Sequence, residues 1–170
     1  MRILMTSLLV LMFVTAAHAA DFVLTSTAFR NHENMPALYS CNGKNISPPL
    51  HWENPPAKTQ SYALIVSSPY WVQNVVYKWV VYNLPSTLAE LKPGANNDLP
   101  AGALAGMNSF DDAIYRGPCP PDAKVREYIF TLYALDTMLT LDEKADVEDV
   151  FEHMRHHILK QTQLTGIFQH

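Results

Sequence analysis

Tyr115-Arg116-Gly117-Pro118-Cys119-Pro120-Pro121, followed after a short link by Arg126-Glu127-Tyr128-Ile129-Phe130-Thr131-Leu132-Tyr133-Ala134-Leu135, joins a rigid turn to an apolar strand. Each proline holds its own φ at about −65° and pushes the preceding residue toward extended geometry, so the backbone around Cys119 keeps one shape without regular hydrogen bonding. A backbone held that way can form the rim of a pocket. The residues from Arg126 to Leu135 are rich in β-branched and aromatic side chains and long enough for a central strand. A loop carried on a rigid strand is where binding groups usually sit.

Two runs upstream have the same character. Ser61 to Val66 and Val75 to Leu84 are continuous and apolar, as expected of inner strands of a sandwich, with Ser67 to Trp71 read as the turn between them. Nearer the start, Phe22 to Ser26 reads as a strand, Arg30 to Asn34 as a polar turn, and the residues into Tyr39 as a second short strand. Cys41 to Trp52 reads as an ordered loop that delivers Leu50 and Trp52 to a core. Toward the end, Val147, Val150, Phe151, Met154 and Ile158 follow helical spacing, with Asp146 as N-cap and Gly166 closing the segment beyond. The pattern predicts a mainly β protein: an antiparallel β-sandwich with short helices and a C-terminal amphipathic helix. A doubly wound α/β fold would need helices between the strands.

With 170 residues, 48% hydrophobic and 16% charged, the chain fits one globular domain. Residues 1–19 read as a secretory signal: Met1-Arg2, an apolar run from Ile3 to Val14, and an Ala17-His18-Ala19 cleavage site. The run is shorter than the roughly 20 residues a membrane span needs. Residues 20–170 are then the mature domain, in the periplasm or outside the cell. In such an oxidising compartment the two cysteines, Cys41 and Cys119, suggest a disulfide, with two buried free thiols as the other reading. Closing a loop of that length stabilises a fold by about 4 kcal/mol in the chain-entropy description. A net charge of −4 argues against nucleic acid as a partner.

Complete catalytic signatures are missing from the sequence. There is no Gly-x-Ser-x-Gly elbow, phosphate loop or dinucleotide fingerprint, and Asp111-Asp112 and Asp142-Glu143 read as solvated pairs. His153 and His157 stand at i, i+4 on the expected helix but lack a third ligand, so a solvated face accounts for them better than a metal site. The sequence calls for no enzyme, cofactor or metal. Lys78 within an apolar strand and Arg126 at the entry to another are different, because a charge there is costly unless it reaches solvent or an anion. Snorkelling to the surface is the alternative.

Several motifs, in order, point to a family: Cys41-x-Gly43-x-Asn45-x-Ser47-Pro48-Pro49-Leu50-x-Trp52, Trp79-Val80-Val81-Tyr82-Asn83-Leu84-Pro85, Gly106-x-Asn108-x-Phe110, Gly117-Pro118-Cys119-Pro120-Pro121 and Phe130-x-Leu132-Tyr133-Ala134-Leu135-Asp136. Together they resemble the phosphatidylethanolamine-binding protein family, whose bacterial branch is called Raf kinase inhibitor-like. The resemblance spans nearly all of the mature chain and implies a β-sandwich with a small anion pocket at one end. In that family the pocket combines an Asp-Pro-Asp-x-Pro loop, a His-Trp pair, a Gly-Pro turn and a His-Arg-Tyr triplet.

Here those pieces are altered. Ser68-Pro69-Tyr70 stands where the family has its acids, Lys78 precedes Trp79 in place of histidine, and the triplet becomes Arg126-Glu127-Tyr128. Gly117 and Pro118 are retained. Losing carboxylates and gaining Lys78 and Arg126 makes the implied pocket permanently more cationic. The resemblance therefore implies a binding set of Ser68, Lys78, Gly117, Pro118, Arg126 and Tyr128 for a phosphate or carboxylate, a membrane lipid headgroup included. The competing expectation is a protein-interaction module, or a modulator of an unidentified protein partner, in which Tyr70 and Trp71 plug the pocket or form an aromatic patch. Pairing of exposed aromatic loops across a two-fold axis would give a homodimer.

Overall fold

In a computed structural model, described for residues 20–71, 74–122 and 124–169, the inner strands are buried on both faces. The signal peptide expected at residues 1–19 lies outside the described residues. Among the described residues the strands are β1 (Val23–Thr25), β2 (Glu33–Asn34), β3 (Leu50–Glu53), β4 (Ser61–Trp71), β5 (Asn74–Pro85), β6 (Glu90–Leu91), β7 (Leu104–Gly106), β8 (Arg126–Leu135) and β9 (Ile158–Phe168), with one α-helix, α1 (Val147–Met154), before β9. They form a small sheet in the order β1-β3-β6 and a larger one in the order β2-β9-β8-β4-β5-β7. All pairings are antiparallel except β2 with β9.

The two-sided burial explains why β4 and β5 read as unbroken apolar runs. Tyr62, Leu64 and Val66 of β4 point toward the small sheet, where Leu24, Leu50 and Trp52 close the main core. Ala63 and Ile65 point the other way, onto Val147, Val150 and Met154 of α1. A strand covered on both faces has no polar face to alternate with. The described part of the chain is thus three layers: small sheet, large sheet and helix.

Three local readings are corrected. Ser67 to Trp71 is not a turn but the end of β4, which continues through Trp71 with register shifts on either side of Ser67–Pro69. Pro69 lacks an N–H for the ladder, and such irregular positions are where a strand tolerates proline. The residues into Tyr39 form a 3₁₀ turn over Ala37–Tyr39 rather than a strand, because Pro36 starts it with φ −59° and accepts the Tyr39 N–H at 3.1 Å. At the other end, Asp146 does occupy the N-cap position, but the helix stops at Met154 and Ile158 opens β9. Gly166 does not cap a helix. It pairs with Tyr128 in the sheet, and a Cβ there would collide with the Met35 side chain.

Cys41 and Cys119 form a disulfide with Cα atoms 5.4 Å apart, 78 residues apart in sequence. Replacing both cysteines by serine is predicted to remove about 4 kcal/mol of stability and lower the melting temperature on the order of 10 °C. Calorimetry of the two proteins checks this; equal melting temperatures would contradict it.

Candidate functional site

The site begins with a miscount between two strands. Val66 of β4 pairs with Trp79 of β5, and the next residue, Ser67, pairs with Tyr77, so Lys78 is an extra residue in β5. A bulge of this kind breaks strict alternation and re-aims a side chain. Trp79 stays in the inter-sheet core and Tyr77 packs on the helix side, while Lys78 and Val76 turn into a cavity at the open end of the sandwich. Alternation in sequence could not have placed Lys78 beside Trp79.

The rim beside the bulge is the Tyr115–Pro121 segment, tied to the 39–45 loop at several points. The Tyr115 hydroxyl donates to the Tyr39 carbonyl (3.0 Å), the Gly117 N–H donates to Asn45 Oδ1 (2.8 Å), and the Cys41 N–H donates to the Pro118 carbonyl (3.0 Å). The disulfide adds a covalent tie. Gly117 passes so close to Tyr39 and Asn45 that a Cβ would overlap both. Asn45 itself adopts φ 53°, a left-handed conformation that asparagine tolerates better than most residues. Arg116 N–H donates to the Lys78 carbonyl at 2.9 Å, which locks this segment to the bulge.

The cavity has a volume of about 320 Å³. Its walls combine Val76, Phe110, Pro120 and Pro121 with Ser68, Lys78, Arg126 and Tyr128, and Ser109 and Cys119 complete them. Arg126 and Tyr128 stand two apart at the start of β8 and so share a face. Of the residues expected at a binding site, Ser68, Lys78, Arg126 and Tyr128 are brought together. Gly117 and Pro118 are buried behind the wall and act by positioning Cys119, Pro120 and Pro121. Sequence reasoning missed Val76, Ser109 and Phe110 as wall residues. A large aromatic in a polar loop was the available signal for Phe110, which stays 48% exposed.

Phe110 is held by Asn108, a buried residue whose Oδ1 accepts the Phe110 N–H at 2.8 Å and whose Nδ2 donates to the Ile114 carbonyl at 2.9 Å. The ring lies 4.6 Å from Lys78 Nζ and 5.7 Å from the Arg116 guanidinium. Lys78 is only 9% exposed. Burial, and then the neighbouring Arg116 charge, hold its ammonium below the ordinary lysine pKa. Arg126 pairs with Asp122 at 2.8 Å. Ser68 donates its hydroxyl to the Glu127 carbonyl at 2.7 Å, leaving its oxygen lone pairs as acceptors. Burial raises the Tyr128 pKa, so its phenol remains a neutral donor. No carboxylate is among the described wall residues.

The family's sequence model for phosphatidylethanolamine-binding proteins matches residues 25–169. The chain belongs to the phosphatidylethanolamine-binding protein family. It is 42% identical over 149 residues to a UPF0098 protein of Methanothermobacter thermautotrophicus, an alignment covering 86% of this chain and 97% of that protein. A UPF0098 protein of Chlamydia pneumoniae is 37% identical over 156 residues, with 86% and 97% covered. Among solved structures, the family homologue CT736 from Chlamydia trachomatis superposes with a TM-score of 0.80 at 36% identity, covering 88% of this chain and 97% of that one. Escherichia coli YbcL, described as a new member of the mammalian phosphatidylethanolamine-binding protein family, gives a TM-score of 0.82 at 28% identity over 89% and 99% of the two chains.

The histidines expected to share a helix do not. His153 lies on α1 and hydrogen bonds the Asp149 carbonyl through Nδ1 at 2.8 Å, whereas His157 lies past the helix end and pairs with Asp136 at 2.7 Å. The side chains of Tyr70 and Trp71, expected either to plug the pocket or to form a patch, lie outside the described residues.

The depressed Lys78 pKa has a definite sign for stability. A lysine whose folded pKa lies below its unfolded value binds fewer protons when folded, so stability rises with pH until about the ordinary value of 10.5. Lys78→Met, which removes the buried charge but keeps the stem, is predicted to melt above the parent at neutral pH, with the gap closing as pH approaches 10.5. Melting curves across that range check it; a gap that widens with pH would contradict the burial argument.

Proposed function

We propose that the protein binds a small anionic ligand, a phosphate or a carboxylate, in the cavity between Lys78 and Arg126. The observation that carries this reading is the meeting in one cavity of Lys78, which no carboxylate among the described residues pairs with, and Arg126, whose ion-pair partner Asp122 lies outside the wall. A buried cation gains more from an incoming anion than an exposed one, because the charges meet where water screens them poorly. Arg126 offers a planar fork, Lys78 a point charge and Tyr128 a neutral donor. Ser68 contributes least as a donor, since its proton is engaged by Glu127. The chain's overall charge is −4, so the attraction is local rather than global. The binding reading requires no turnover and no metal.

The protein is read as acting after export, in the periplasm or outside the cell. A disulfide in place, and no described helix long and apolar enough to cross a membrane, are compatible with that location. A protein-interaction role is the second reading. It is favoured by the exposed side chains of Val75, Phe110 and Val125, which belong to or adjoin the cavity wall.

Calorimetric titration of the mature protein with inorganic phosphate and with phosphoethanolamine tests the first reading. Saturable one-to-one binding is expected, weakened about ten-fold or more by Lys78→Ala and by Arg126→Ala. Arg126→Ala is expected to weaken it further than Lys78→Ala, because it also releases the Asp122 carboxylate beside the site. No heat with either ligand would leave the interaction reading in its place.

A further inference from the structure

Lys78 differs from an ordinary anion-binding lysine in its surroundings. Its ammonium faces the cavity, yet no carboxylate among the described residues pairs with it. The Phe110 ring lies 4.6 Å from Nζ, and the Arg116 guanidinium, itself ion-paired with Asp112, is on the same ring. A desolvated lysine with no carboxylate partner of its own, opening onto a partly apolar cavity, is a setting in which an amine can lose its proton and act as a nucleophile. A lysine amine can form an imine with a carbonyl compound.

We propose that Lys78 binds carbonyl compounds covalently and reversibly, as a Schiff-base lysine, and that the cavity takes 2-oxo acids with an apolar side chain. The inference rests on the anion reading of the same cavity: the carboxylate of the ligand meets the Arg126 guanidinium, and its carbonyl meets the Lys78 amine. Val76, Phe110 and Pro120 provide the apolar wall for the remaining chain, and a volume of about 320 Å³ leaves room for one. A second charged group on the ligand would meet that apolar wall and be disfavoured.

The chemistry balances without an oxidant or reductant. The neutral Lys78 amine attacks the carbonyl carbon, the C=O π pair moves to oxygen, and a proton passes from nitrogen to that oxygen to give a carbinolamine. Loss of one water then forms the C=N bond, and hydrolysis reverses every step. The Tyr128 phenol, on the same wall, is placed to hydrogen bond the carbonyl oxygen as it gains charge.

The test is reductive trapping of the mature, disulfide-bonded protein with 4-methyl-2-oxopentanoate and cyanoborohydride at neutral pH, read by peptide mass spectrometry. Phosphate calorimetry on the same preparation reports separately on anion binding. The expected result is a reduced adduct at Lys78 on the order of ten-fold above that on any exposed lysine, lost in Lys78→Arg and suppressed by 4-methylpentanoate, which has the carboxylate but no ketone. Site mapping in the unsubstituted protein keeps the test independent of whether the variant folds. Phosphate binding with no enrichment at Lys78 would overturn the imine and leave the anion reading standing. Absence of both phosphate binding and enrichment would remove the two together, and enrichment without suppression by 4-methylpentanoate would overturn the carboxylate-directed part of the proposal.

Discussion

Between the pairs Val66–Trp79 and Ser67–Tyr77, β5 carries one residue more than β4, and that residue is Lys78. Its consequence runs through the site. With regular pairing, Lys78 and Trp79 would point to opposite faces of the large sheet, and the ammonium would be driven toward α1 and the second apolar cluster. The bulge instead puts the charge in the cavity that Val76 and Arg126 also line. Desolvation is therefore partial: enough to depress the Lys78 pKa, with an outlet through the cavity.

The rim has to be as fixed as the sheet for the charges to converge, and its sequence provides for that in a different way. Three prolines remove conformational freedom, Gly117 allows an approach to Tyr39 and Asn45 that any side chain would block, and the disulfide joins the segment to a loop distant in sequence. Tyr115 packs edge-on against Trp79 with ring centres 5.6 Å apart, so the rim and the bulge share an aromatic contact. What the rim presents to the cavity is Cys119, Pro120 and Pro121; Gly117 and Pro118 make that presentation possible from behind.

Strands β4, β5 and β8 were legible in the sequence because burial on both faces leaves a long apolar run that few other structures produce. Strand β9 was not. Its first half, Ile158 to Gln163, is mostly exposed and polar, so it lacks a strand signature, and Ile158 happens to continue the helical spacing of Val147 to Met154. Lys78 and Arg126 were legible singly, as charges set in apolar strands, but their grouping with Ser68 and Tyr128 came only through resemblance: the four belong to three strands, and neither period nor spacing relates them. Phe110 and Val76 escaped because one sits in a loop and the other owes its orientation to the bulge.

The central claim is that Lys78 is a partly desolvated cation awaiting an anion, and its own titration tests that most directly. Following the Lys78 ε-carbon resonance against pH, with and without inorganic phosphate, reads the protonation of this one group. The account predicts a pKa below the ordinary lysine value in the free protein and a clear rise when phosphate is present, because an anion beside the ammonium favours its charged form. An unshifted lysine pKa that phosphate leaves unchanged would contradict it.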